Sequence, residues 1–150
     1  MLKMYDRAVT YVSGRIPEAI ALLVLRAALA GIFWRSGRTK IEDGSLFSIS
    51  DTTYFLFKEE YAGVPLPSDF AAVMATVSEH LFPILLVVGL FTRLSALALL
   101  GMTMVIQIFV YPEAWWQVHI LWAAMCLILI VRGGGVFTLD TLLARRGGDA

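Results

Sequence analysis

Residues 74–91, MATVSEHLFPILLVVGLF, form an apolar run that holds an acid, Glu79, beside a histidine, His80. About 20 mostly apolar residues are needed to cross a hydrocarbon layer of ~30 Å at the helical rise of 1.5 Å per residue. The run therefore predicts a membrane-spanning helix. Because a charge at the bilayer centre costs at least ~2.5 kcal/mol, we expect Glu79 to have a partner on another span.

The composition of the whole chain agrees with a membrane location. Of its 150 residues, 59% are hydrophobic and only 16% are charged, and the mean hydropathy is +0.76, which indicates an integral membrane protein. The 12 basic and 12 acidic residues cancel and form no long basic run, so a nucleic-acid partner is not expected. The single cysteine, Cys126, excludes an internal disulfide or a dithiol relay.

Four apolar stretches predict four spans joined mostly by short turns. Short connections make neighbouring helices antiparallel, so we predict an all-α membrane protein, an antiparallel bundle of four transmembrane helices. The long first loop, residues 37–68, is the exception: Ser50 or Asp51 can cap a short amphipathic helix there, which predicts an interfacial helix or lid over the bundle. An ordinary loop is the alternative. The predicted spans are 18–34, 69–90, 94–111 and 113–131.

The distribution of basic residues predicts the orientation. Cytoplasmic ends of spans carry an excess of Lys and Arg, and the excess here lies on the side of the two termini. We therefore expect both termini in the cytoplasm of a prokaryotic cell and loop 37–68 outside the cytoplasmic (inner) membrane. The inner set is Lys3, Arg7, Arg15, Arg93, Arg132, Arg145 and Arg146, and the outer set is Arg35, Arg38, Lys40 and Lys58.

The polar residues within the spans predict a site. Arg26 and Glu79 each lie about ten residues from the outer end of their spans, so we expect them at one depth and joined as an ion pair. Gln107 and His119 lie nearer the outer surface, and Trp115 and Trp122 share the helical face of His119. We therefore predict a cavity that opens to the outer half of the membrane and is lined by these residues, with Arg26, Glu79 and His80 at its floor.

Each of these residues also has a structural interpretation. Arg26 and Glu79 can fix the register of two helices without further function, and a buried histidine can be hydrogen-bonded without chemistry. The tryptophans are also typical of the membrane interface. Two histidines on different helices, without a local Glu-x-x-His or His-x-x-His pair, predict no metal site.

The order of several short motifs resembles the DoxX family of small prokaryotic membrane proteins. These are Arg26, SGRTK at residues 36–40, Glu79, GLFTR at 89–93 and RGGGVFTLD at 132–140. The resemblance covers about residues 18–143 and implies a four-helix membrane protein. Relatives include the small subunit of a thiosulfate:quinone oxidoreductase, so it also implies quinone-linked redox chemistry with a partner subunit.

The residues and the resemblance together give a functional hypothesis. A quinone has two carbonyl oxygens that accept hydrogen bonds, and it must take up protons on reduction. We expect Glu79 and His119 to be the catalytic residues, Glu79 as proton acceptor. The cofactor-binding candidates are Arg26, His80, Gln107, Trp115, Trp122 and Lys40.

No haem, flavin or iron–sulfur motif is visible, so a partner subunit or the substrate must deliver the electrons. Membrane lipid is an expected partner, and a homo-oligomer stays open. The alternatives are a non-catalytic membrane anchor or assembly subunit and, third, a small transporter or proton pathway.

Overall fold

The structure is a computed structural model that describes residue 5, residues 9–11 and residues 13–147. Most of these residues lie in helices. A 3₁₀ turn, Pro112–Ala114, and a π-helical turn, Trp115–His119, lead directly into the helix Ile120–Arg132. In the described residues the extended pairing is a single bridge between Ile41 and Ile49. The helices are α1 Arg15–Arg38, α2 Asp51–Glu59, α3 Ser68–Val88, α4 Thr92–Phe109, α5 Ile120–Arg132 and α6 Leu139–Gly147.

Four helical segments are long and apolar enough to cross a membrane: α1, α3, α4 and the continuous stretch Pro112–Arg132. The prediction of an all-α membrane protein with four spans is therefore confirmed. Helix α1 is longer than its predicted span at both ends, because terminal residues such as Arg35 and Arg38 can hold their charges in the polar layer beside the hydrocarbon.

The four spans pack as a closed ring. Helix α1 packs on α3, α3 on α4, and α4 on α5, and α1 also contacts α5. The core between them is built from Leu and Ala with Phe33 and the buried Cys126. Large apolar side chains such as Val24 and Val131 are exposed on the outside, where lipid rather than water is their expected environment.

The loop between α1 and α3 contains the predicted short helix. The Ser50 hydroxyl caps α2 by accepting a hydrogen bond from the Thr53 N–H. Phe57 of α2 packs against Ala71 and Ala72 in the first turns of α3. The helix predicted in this loop is thus present beside α3, while its action as a lid stays a prediction.

At the opposite end of the bundle, the segment after α5 forms hydrogen bonds with the α3–α4 turn. The Asp140 carboxylate accepts hydrogen bonds from the backbone N–H groups of Phe91 (2.8 Å) and Thr92 (2.9 Å), and thereby caps α4. Phe91 has φ 50°, a conformation that non-glycine residues rarely adopt. A Cβ on Gly89 would lie 2.7 Å from the Cβ of Thr138, so this close contact requires glycine.

Candidate functional site

The expected ion pair between Arg26 and Glu79 is wrong. Arg26 is buried, with 1% of its surface exposed, but its guanidinium is surrounded by backbone oxygens. Four of its five N–H groups are donated to carbonyls, which leaves little capacity for a ligand. The acceptors are Leu86 O (2.7 Å), Val87 O (2.8 Å), Gly134 O (3.0 Å) and Phe137 O (2.8 Å).

The error comes from the relative position of two antiparallel helices. Arg26 lies level with Leu86, near the end of α3, whereas Glu79 contacts Ser36, near the end of α1. The first turns of α3 reach beyond α1 because they pack against α2. Counting depth from a shared outer end therefore placed Glu79 about three helical turns away from its true level on α1.

The partner of Glu79 is Lys40. The Lys40 Nζ lies 2.7 Å from Glu79 Oε2, with side-chain exposures of 8% and 3%. Ser36 donates from its hydroxyl to Glu79 Oε1 (3.1 Å), and Lys40 Nζ donates to Ser36 Oγ (3.1 Å). The Lys40 contact with Oε2 is an ion pair at hydrogen-bonding distance, and a carboxylate oxygen with one such partner can still accept a second hydrogen bond.

Gly37 lets α1 approach α3 at this point. A Cβ on Gly37 would lie 2.8 Å from His80 Cε1 and 3.1 Å from Glu79 Cβ. The SGRTK segment therefore has a structural explanation: Ser36 and Lys40 contact the carboxylate, and Gly37 provides the space between them.

We expect Gly37→Ala to lower the free energy of unfolding by about 1–3 kcal/mol, because the added methyl overpacks a tight helix contact. Gly31→Ala on the same helix is the matched control, since a Cβ there meets nothing within 4 Å. Thermal unfolding of both variants in detergent checks the prediction. Equal melting temperatures would contradict the close contact at Gly37.

His80 faces a different surface from Glu79. Its Nδ1 lies 2.7 Å from the Thr76 carbonyl oxygen, which can only accept, so Nδ1 carries the proton. Its Nε2 is buried without a hydrogen-bond partner among the described residues. The ring packs edge-on against Trp34 with centroids 5.1 Å apart. His80 thus lines a groove with Trp34 and Phe47 rather than the surroundings of Glu79.

A cavity of about 200 Å³ adjoins the Lys40–Glu79 pair. Its wall is mainly apolar, and Tyr61 and Ser78 add hydroxyl groups. Leu66, Met74 and Val105 lie at the cavity and are also exposed on the outside of the protein. The remaining lining residues are Phe57, Val64, Ala71, Ala75, Met102 and Ile106. A buried charge pair therefore meets an apolar cavity whose border belongs to the lipid-facing surface.

Tyr61 was not among the sequence candidates. Burial, and then the neighbouring Tyr111, Glu79 and Glu60, raise the pKa of Tyr61 to about 12, so its hydroxyl keeps its proton and can donate. The ring stacks on Phe57 with centroids 4.4 Å apart. Tyr61 follows α2 in a loop, where no helical periodicity could connect it with Glu79.

Gln107 and His119 form a second polar group. Gln107 donates from Nε2 to Pro112 O (2.7 Å), and its Oε1 lies 2.7 Å from His119 Nδ1, so Nδ1 is the donor of this pair. The His119 ring packs against Trp122 with centroids 5.3 Å apart. His119 ends the π-helical turn, a rare geometry that is frequent at functional sites. Trp115 begins this turn, and within the described residues it makes no ring contact with His119 or Trp122.

The predicted single cavity is therefore divided into separate groups: Arg26 at the end near α6, Lys40 with Glu79 near α2, and Gln107 with His119 before α5. Within residues 13–147 no hydrogen bond or ion pair joins one group to another. The described part of the chain also contains no cluster of three His, Cys, Asp or Glu residues that could hold a metal ion.

Comparison with known proteins covers the Arg26 group and the Lys40–Glu79 group. The DoxX family profile matches residues 21–112. An uncharacterized protein of Haemophilus influenzae is 32% identical over 146 residues, and the alignment covers 87% of each chain. No solved structure shows a significant match. The extent of these matches, together with the four apolar helices, shows that the chain is a multi-pass membrane protein of the DoxX family.

Proposed function

We propose that the chain binds the ring of a quinone, or of a similar lipid-soluble carbonyl compound, in the cavity beside Lys40 and Glu79. The observation that carries the proposal is a buried ion pair in an apolar cavity bordered by lipid-facing side chains. A molecule dissolved in the membrane could enter between α3 and α4 without crossing water.

The size and polarity of the cavity fit one ring. Sites for drug-sized ligands span ~300–1,000 Å³, so about 200 Å³ suits a headgroup whose tail stays in lipid. The Lys40 ammonium and the Tyr61 hydroxyl are donors for a carbonyl oxygen. Glu79 Oε2, which contacts Lys40 at 2.7 Å, has a second lone pair that can accept a hydrogen bond from a hydroxyl.

The residues of this chain then have defined roles. A bound quinone would supply two-electron, two-proton redox chemistry, with the electrons delivered by a partner subunit. Lys40 polarises a carbonyl oxygen, the Glu79 carboxylate accepts a proton from a hydroxyl of the reduced ring, and Ser36 keeps the carboxylate oriented through its bond to Oε1. Arg26 has no such role because four of its N–H groups are donated to backbone carbonyls. His119, Gln107, Trp115 and Trp122 lie outside this cavity.

A non-catalytic anchor or assembly subunit is the second candidate. It is favoured by the fact that Lys40, Ser36 and Glu79 already satisfy one another, as a pair that only fixes helix register would. In this case the cavity has no redox ligand.

For orientation, we infer that both termini lie in the cytoplasm of a prokaryotic cell and that α2 lies outside. The pairing of Lys40 with Glu79 supports this, because a buried and neutralised lysine no longer counts among the outer basic residues.

Filling the cavity tests the quinone hypothesis. Ala75→Phe places a ring in the cavity without changing the ion pair, and Ala124→Phe, on the exposed face of α5, is its matched control. We expect wild-type protein purified in mild detergent to retain quinone detectable by mass spectrometry. We expect Ala75→Phe to retain at least about tenfold less, since overfilling a site excludes its ligand.

Two further results would redirect the assignment. Loss of quinone from His119→Gln but not from Ala75→Phe would move the site to the Gln107–His119 group. If folded wild-type protein retains no quinone and binds none added to nanodiscs, the proposal fails and the anchor function is preferred.

A further inference from the structure

A second and larger cleft lies at the end of the bundle away from α2. It measures about 830 Å³ and is formed by the beginning of α1, the beginning of α4, the glycine segment 133–135 and α6. Four arginines line it: Arg15, Arg93, Arg132 and Arg145. It is separate from the cavity at Lys40 and Glu79, and it is independent of the proposed function.

The acidic residues in this cleft are already engaged. Glu18 forms an ion pair with Arg132, and both oxygens of Asp140 accept hydrogen bonds from the first backbone N–H groups of α4. Arg93 donates only to Val131 O, at 3.3 Å. Arg15 and Arg145 have no hydrogen-bond or ion-pair partner within the described residues. Three of the guanidinium groups that line the cleft thus have N–H groups available to an anion.

One further feature indicates a ligand rather than a dispersed basic surface. The Thr92 hydroxyl lines the cleft, is fully buried and has no hydrogen-bond partner among the described residues. The cleft therefore combines charged donors with a buried hydroxyl.

The border of the cleft indicates the source of the anion. Phe91 and Leu94 also line it, with 59% and 60% of their surfaces exposed. They lie at the start of a membrane span, at the level of lipid headgroups. A phosphodiester with acyl chains would contact both the arginines and this apolar border, whereas a free phosphate would use only the arginines.

We propose that this cleft binds phosphate, supplied by the headgroup of an anionic membrane lipid. Guanidinium groups bind phosphate oxygens in a bidentate manner, and basic pockets at the ends of spans attract anionic headgroups. In the inferred orientation this end of the bundle faces the cytoplasm. The cytoplasmic leaflet is the one whose anionic lipids attract basic segments.

The test compares lipid binding by native mass spectrometry. Delipidated wild-type protein is offered phosphatidylglycerol and phosphatidylcholine in equal amounts. The test variant is Arg93→Gln with Arg145→Gln. The control, Arg146→Gln with Arg35→Gln, removes the same charge from exposed arginines outside the cleft. We expect the preference for phosphatidylglycerol to fall by about tenfold or more in the test variant and to stay at the wild-type level in the control.

Other outcomes would overturn the proposal. An equal loss in both double variants would show a general effect of surface charge, and no loss in either would show that the cleft does not bind the lipid. Inorganic phosphate is the second probe: if it raises the melting temperature while phosphatidylglycerol shows no preference, the ligand is free phosphate and the lipid assignment is wrong. Melting temperatures of all variants identify any loss of folding.

Discussion

Arg26→Leu is expected to lower the free energy of unfolding by roughly 4 kcal/mol. The leucine fills much of the space but leaves the carbonyl oxygens of Val87, Gly134 and Phe137 without their donor, whereas Leu86 O keeps the Gly89 N–H. Each buried unsatisfied group costs ~1–3 kcal/mol. Water entering from the end of the bundle reduces the sum. Unfolding of the purified protein in mixed detergent micelles measures the change.

Two comparison variants separate this cause from a general loss of charge. Arg26→Lys should recover only part of the stability, because one ammonium cannot reach acceptors on both α3 and the segment after α5. Arg35→Leu removes an exposed arginine from the same helix and should change stability by less than ~0.5 kcal/mol. A similar loss at both positions would show that the carbonyl contacts of Arg26 do not explain its effect.

The second large effect is expected for the Lys40–Glu79 pair. Either Lys40→Met or Glu79→Met leaves one charge buried without its partner, which costs ~3–5 kcal/mol. The double variant removes both charges, and we expect it to be more stable than either single variant. Unfolding of the four proteins under one set of conditions gives the coupling energy directly.

The same four proteins separate stability from ligand binding. If the pair only fixes helix register, the double variant should fold and keep whatever lipid-soluble molecule the wild type retains. If Lys40 and Glu79 contact a quinone, the double variant should fold and lose it. Additive losses of stability would show that the two charges do not interact in the folded protein, contrary to the 2.7 Å contact.

The fold was predictable because local signals along the chain agree with one another. Each span is an apolar run of suitable length, the turns after α3 and α4 are short, and Ser50 stands where the cap of α2 is needed. The ends of the spans were less predictable. Arg35 and Arg38 extend α1 beyond its apolar run because long basic side chains can reach the polar layer.

The site was predictable only in part, because partners on different helices depend on their relative positions. Gln107 and His119 were predicted at a similar depth, and they are in contact because both lie close to the short α4–α5 connection; the contact itself was not predicted. The partner of Glu79 was missed because α2 shifts α3 along α1, and nothing in the α3 sequence measures that shift. Lys40 and Tyr61 lie in the long loop, where periodicity gives no information on direction.

The contacts of Arg26 also limit the order in which this protein can assemble. Its acceptors on α3 are 60 and 61 residues further along the chain, and those after α5 are 108 and 111 residues away. While α1 is being inserted during synthesis, this charge has none of its final partners and costs ~2.5–3.5 kcal/mol near the helix centre. A chaperone, lipid headgroups or water must solvate the guanidinium in the interval. The newly made first helix is thus the stage at which assembly of this protein is most vulnerable.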